Sequence, residues 1–203
     1  MKLYAIMIVK VDPGATGEPV VCCQATDVSD VGMFQRSAAR EFLVFFSRTV
    51  AKRVTPLSRT QVTEQGRVLF AHSFAGGRLV ATAIGDDEYN GRVAFSMLST
   101  VEQQFQDTFR GRWEGVSKDD ALSFPYLGET LAKYQKPEEA DKILKIQRDI
   151  DDTKVVLHSA IDQVLERGEK IDNLVEISGD LSMASKGFYK SAKKTNSTCC
   201  VVC

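Results

Sequence analysis

The 203-residue sequence has no proline beyond Pro137, and only two aromatic residues there, Phe188 and Tyr189. A segment so free of breakers and so poor in large core side chains does not build a globular core of its own. It suits a long helix that completes its core with partners. No stretch is long and apolar enough for a membrane span, which takes about 20 residues; the plain apolar runs are short, such as Phe42-Leu-Val-Phe-Phe46. The start of the chain has an apolar run between Lys2 and Lys10 but no small-residue cleavage pattern. It therefore reads as a buried strand rather than a secretion signal, and the expected compartment is the cytosol. G-x-x-x-x-G-K-[ST] is absent, which argues against a lipidated GTPase, and no G-x-G-x-x-G follows a strand. The two histidines, His72 and His158, have no evident catalytic partner. A formal net charge of −1 gives no signal for nucleic acid. The five cysteines are an odd number in two clumps, Cys22-Cys23 and Cys199, Cys200 and Cys203, which is not a disulfide framework.

The near-zero net charge conceals a division near Pro137. Residues 1–136 are almost neutral, 137–185 are strongly acidic, and 186–203 carry Lys186, Lys190, Lys193 and Lys194 without an acid. Three regions follow: a folded domain over 1–136, a helical rod with a basic tail over 137–198, and a terminal cysteine motif over 199–203.

The first region reads as α+β. Strands are predicted over Leu3–Val11 and Pro19–Gln24, joined by a Pro13-Gly14 turn, and over Ser58–Thr63, Arg67–Phe74 and Arg78–Ile84, with Gly76-Gly77 turning between the last two. Helices are predicted over Phe34–Arg53, Arg92–Arg110 and Leu127–Tyr134. That order makes an antiparallel five-stranded sheet covered by helices. Asp86-Asp-Glu88 precedes a helix, where acids favour the N-terminus, and is set aside as a metal site. Cys22 and Cys23 follow Val20-Val21 and read as small apolar residues. On the first helix, Phe34, Ala38, Ala39, Phe42, Leu43, Phe45, Phe46 and Val50 cover roughly half the circumference at about 100° per residue. One sheet face needs a narrower stripe. Either a further helix covers the rest or part of the arc is a docking patch, and for Phe42 the sequence does not choose.

From Ile143 a 3-4 spacing continues to Thr195 and includes Ile150, Leu157, Val164, Ile171, Leu174, Leu181 and Phe188. This sustained heptad predicts a coiled coil. The flanking positions Val156, Ile161, Val175 and Ile177 are apolar too, which fits a bundle of more than two helices. Arg167 interrupts the seam. A guanidinium buried there needs acceptors, and glutamines from partner helices would supply them; the alternative is a register that leaves it on the surface. At the terminus, Cys200-Val-Val-Cys203 fits a prenylation motif, although a terminal Cys is not among its usual residues, and Cys199 beside it is a natural palmitoylation site. Two or more such signals hold a protein stably on a bilayer.

The heptads with a central Arg, Leu165-Glu-Arg-Gly-Glu-Lys170 and Ser185-Lys-Gly-Phe-Tyr-Lys190 resemble an R-SNARE motif. Met1-Lys-Leu-Tyr4, Phe34-Gln-Arg-Ser37, Glu41-Phe42 and Arg92-Val-Ala-Phe95 resemble a longin domain, which is profilin-like. The whole chain is similar to the prenylated longin R-SNAREs, synaptobrevin-group proteins without a transmembrane helix. The resemblance implies a non-enzymatic v-SNARE that drives vesicle docking and fusion in a four-helix bundle with three Q-SNARE helices. Arg167 would then be the polar layer, and Ile150, Leu157, Val164, Ile171, Leu174, Leu181 and Phe188 the core. It implies a prenyl group on Cys200 and a palmitoyl group on Cys199 as the only added groups, with no other cofactor or metal. The implied partners are the SNARE-disassembly ATPase with its adaptor and membranes of the Golgi, vesicles, endosomes and vacuole or lysosome. A longin domain that autoinhibits would hold the rod on a patch including Phe42 and Phe46. A non-fusogenic trafficking adaptor and a longin acyltransferase are the alternatives. Whether the free rod is one helix or broken segments is not legible in the sequence.

Overall fold

The computed structural model describes residues 1–12, 17–135 and 155–198, and for 195–198 the backbone alone. The Pro13-Gly14 turn, the first heptads with Ile150, and Cys199 and Cys200 lie outside the described residues.

The elements β1 (Leu3–Lys10), β2 (Val20–Thr26), α1 (Arg36–Ala51), β3 (Arg59–Glu64), β4 (Arg67–Phe74), β5 (Leu79–Asp86), α2 (Gly91–Phe109) and α3 (Tyr126–Tyr134) follow the expected order. The sheet order is β2-β1-β5-β4-β3-β6, where β6 (Val155–His158) is an addition from the C-terminal region. Five strands pair antiparallel as expected; the sixth runs parallel to β3, with Arg59 opposite Val155 and Val62 opposite His158.

β1 lies inside the sheet and is covered on both faces, which is why it reads as a nearly continuous apolar run. Its alternation divides the core. Leu3, Ile6 and Ile8 face α2 and α3 with Phe70, Phe95 and Phe105. Ala5, Met7 and Val9 face α1 with Leu43, Phe46 and Val50. Between β1 and β2 the register shifts, so that Ile8 opposes Cys23 and Val9 opposes Val21. Cys22 is the extra residue of a bulge, and bulging lets two successive side chains share the α2 layer. Both thiols are buried there, and burial pushes the Cys22 thiol up to about 11 and raises that of Cys23 as well. Lys10 is also buried; its Nζ donates to the carbonyls of Glu114 at 2.8 Å and Val116 at 2.9 Å, tying the turn at Arg112–Gly115 to the sheet.

The helix starts refine two expectations. Phe34 lies ahead of α1 in a short 3-10 turn and is 96% exposed, so it contributes nothing to the arc. Asn90, rather than the acids before it, caps α2, its side-chain oxygen accepting from the Arg92 amide at 2.9 Å. Asp86 and Glu88 instead take the Met1 ammonium, at 3.2 and 3.6 Å. His72 is structural as expected, with Nδ1 3.3 Å from Glu102. No helix among the described residues is long and apolar enough to cross a membrane.

Phe105 sits at the centre of the α2 layer, fully buried, with Phe109 at 4.8 Å and Phe124 at 5.7 Å between ring centroids. Phe105→Ala is expected to lower unfolding stability by about 3–5 kcal/mol in a denaturant titration, through lost transfer energy and the cavity left behind.

Candidate functional site

The described part of the heptad region is not one rod. After β6 the chain makes a 3-10 turn at Ile161–Gln163, a loop through Val164–Lys170, helix α4 (Ile171–Ile177) and helix α5 (Met183–Thr198). The reason is the apolar stripe itself. A lone helix would leave it in water, whereas folded back it covers α1 and the edge of the sheet. Ile161, Leu165, Ile171, Val175, Leu181 and Tyr189 are buried in the α1 layer, and Val164, Leu174 and Phe188 are half-buried against it.

Phe42 is the hinge of this contact. Its ring lies 5.2 Å from that of Tyr189 and 6.2 Å from that of Phe46, stacked in both cases. Phe46 is buried against the sheet while Phe42 is half-buried under α5, so a further helix does cover the outer arc of α1. Tyr189 satisfies its hydroxyl by donating to Asp172 Oδ1 at 2.8 Å. Burial and the Asp172 carboxylate together hold that phenol well above its ordinary range.

Polar contacts frame the aromatic stack. Glu41 on α1 accepts from the Ser182 amide at 3.1 Å and the Ser185 hydroxyl at 2.6 Å, satisfying donors at the start of α5. These hydrogen bonds keep its carboxyl below the usual range. Arg53 Nη2 bonds Glu169 at 2.8 Å, and Arg48 joins Asp119 of the domain to Asp180 of the C-terminal region. At the sheet edge Glu64 accepts from the Ile161 amide at 3.2 Å, and burial raises its pKa. Between α1 and residues 174–181 a cavity of about 800 Å³ remains, with Val44, Phe45 and Leu174 on its apolar walls and Arg40 and Lys52 at its sides.

The residues assigned to the fusion layers are not aligned in this conformation. Ile171 and Leu181 are buried on the domain, while Leu157 is 68% exposed on β6. Arg167 is exposed at the tip of a turn closed by the Glu169 amide donating to the Glu166 carbonyl at 2.9 Å. The turn needs a left-handed residue, and Gly168 supplies it at φ +94°. Arg53 and Asp172 escaped the sequence reading, and Glu41 entered it only in the longin-like pair Glu41-Phe42, since heptads reveal which side chains face a partner helix but not which polar groups bind in the bent state. Tyr189 had one signal, as one of two aromatics in a long stretch.

Comparison with known proteins rests on two parts and on the whole. A longin profile, described as a regulated-SNARE-like domain, matches residues 28–131, and a synaptobrevin profile matches 142–202. Over 202 residues the sequence is 48% identical to the VAMP-like protein YKT61 of Arabidopsis thaliana, covering all of both chains. It is 43% identical over 204 residues to the synaptobrevin homolog ykt6 of Schizosaccharomyces pombe, again end to end. The chain belongs to the longin-domain R-SNARE family. Membership makes it a membrane-fusion protein rather than an enzyme, and the folded-back rod is a SNARE motif held by its own longin domain.

Two outcomes follow from this geometry. Glu41, Glu169 and Asp172 are held below their usual range by Ser185, Arg53 and Lys193 respectively. Their contribution to the bent state is present above the unfolded carboxylate range and is lost as pH falls through their lower folded values. Glu64, raised, works the opposite way but alone. Scattering at decreasing pH should therefore show expansion below about pH 4. Gly168→Ala strains the turn and favours a helix through Arg167. The two effects together should shift the balance toward a continuous helix ~30-fold, read as increased helical circular dichroism.

Proposed function

We propose that this R-SNARE is a lipid-anchored v-SNARE whose longin domain keeps the SNARE motif unavailable until partner helices compete for it. The observation that carries the reading is the stack of Phe42 on Tyr189, which commits the seam to α1. When the segment straightens, Leu157, Val164, Ile171, Leu174, Leu181 and Phe188, with Ile150 before them, return to one stripe. Arg167 leaves its turn and enters the bundle, where three glutamines give the guanidinium the acceptors a dry layer demands. The layers then zip toward the C-terminus, where a prenyl group on Cys200 and a palmitoyl group on Cys199 anchor the motif. Mechanical approach of two bilayers is the result.

In the bent state the prenyl chain has a candidate shelter in the cavity beside Val44, Phe45 and Leu174. Removal of the acyl group at Cys199 then returns the protein to the cytosol. Recycling by the SNARE-disassembly ATPase and its adaptor, and service at Golgi, endosomal and vacuolar or lysosomal membranes, complete the proposal.

The test uses the full chain with three Q-SNARE helices. Phe42→Glu, which places a charge in an aromatic contact, is expected to speed assembly at least tenfold and to expand the free protein. Arg167→Ala is expected to weaken the assembled bundle, read as a lower melting temperature. Assembly unaffected by Arg167→Ala would favour a non-fusogenic adaptor, and unchanged compactness of Phe42→Glu would remove the autoinhibitory role of the patch.

A further inference from the structure

α5 carries Lys186, Lys190, Lys193 and Lys194 and no acid. Lysines next to a membrane anchor attract acidic headgroups, each strengthening partitioning about fivefold. In the bent state Lys186, Lys190 and Lys193 are bound by α4. Lys190 Nζ lies 2.5 Å from Glu176 Oε1, and Lys193 Nζ lies 2.5 Å from Asp172 Oδ2. Lys186 Nζ donates to the Glu176 carbonyl oxygen at 2.7 Å.

The arrangement is built by helix spacing. Asp172 and Glu176 are four residues apart on α4 and share a face, and Lys186, Lys190 and Lys193 share a face on α5. These ion pairs are solvated, with about half of each side chain exposed, so they add little to stability. Their consequence is in the field. A headgroup approaching α5 meets the Lys190 and Lys193 ammonium groups already paired with two carboxylates, well inside a Debye length of about 8 Å. In a straight helix the same pairs come apart: Glu176 and Lys190 would be about 21 Å distant, and Asp172 and Lys193 about 32 Å, at 1.5 Å per residue. The cancellation exists only while the motif is bent.

We propose that α4 acts as an internal substitute for an anionic bilayer, its Asp172 and Glu176 occupying the lysines that otherwise bind acidic lipid headgroups. Straightening therefore exposes the apolar seam and the basic surface in one step, and the bent protein is kept off anionic membranes by charge as well as by burial. This rests on the reading of the C-terminal region as membrane-directed, but not on bundle formation.

The probe is the full chain without lipid modification, sedimented with phosphatidylcholine vesicles with and without phosphatidylserine, in the absence of partner helices. Glu176→Gln, which leaves the Tyr189 contact intact, is expected to raise binding to anionic vesicles about fivefold, and Asp172→Asn with Glu176→Gln about 30-fold. Neither should gain on neutral vesicles, and the gain should vanish in about 1 M salt, where the Debye length is about 3 Å. Adding Lys190→Gln to Glu176→Gln should return binding to the starting level. No gain on anionic vesicles would overturn the proposal. So would an equal gain on neutral ones, which marks opening of the apolar face. Failure of the fusion reading would appear instead as absent assembly with Q-SNARE helices, a measurement these vesicles do not contain.

Discussion

An apolar stripe along residues 155–198 has to be covered by something, and the whole arrangement follows from what covers it. Here the cover is α1, through Phe42 on Tyr189 and the buried Ile161, Ile171, Val175 and Leu181. Because the layer beneath α1 is already filled by Leu43, Phe46 and Val50, the returning chain meets only the outer part of the arc. That contact buries Ile161, Val175 and Tyr189 but leaves the Phe42 and Phe188 rings half-buried at its margin. It is suited to being exchanged for a tighter one.

The exchange is made possible by a sequence that satisfies two structures. The heptad positions serve the helix, and in the bent state Ile171 and Leu181 serve again, joined by Ile161, Leu165 and Val175 from off the seam or its edge. Gly168 stands between the two. Beside Arg167 it costs a continuous helix about 1 kcal/mol relative to alanine, yet its left-handed backbone is what lets Arg167 stand clear in solvent here. The polar contacts distribute the same way: Glu41 with Ser182 and Ser185, and Arg53 with Glu169, join residues that a straight motif would carry far from the domain.

Much of the first region was legible because its signals are local. The short apolar runs of β1, β4 and β5, the turns that bound them and the helical spacing of α1, α2 and α3 depend on neighbours in sequence, and the structure follows them to within a few residues. Two expectations failed: Phe34 falls in a 3-10 turn two residues before α1, and the acids at Asp86 and Glu88 are diverted from α2 by a group distant in sequence, the Met1 ammonium. The C-terminal region is different. Its heptads encode a partner that is not part of this chain, so periodicity points to a rod while the free chain settles onto α1. Neither β6 nor the break before α4 leaves a periodic trace: β6 is set by backbone pairing with β3 while Val155, Val156 and Leu157 stay exposed, and the break goes with the burial of Leu165 and Ile171 in the α1 layer.

The strand β6 carries one more implication. It is short, four residues long, yet among the described residues it is the last strand of the sheet and the strand that pairs with the outer edge of β3. A rod that straightens takes that cover away and bares the backbone edge from Arg59 to Val62. Naked strand edges template pairing with other chains. Covering the sheet edge and covering the apolar seam are therefore coupled in this molecule: one fold-back of the SNARE motif does both.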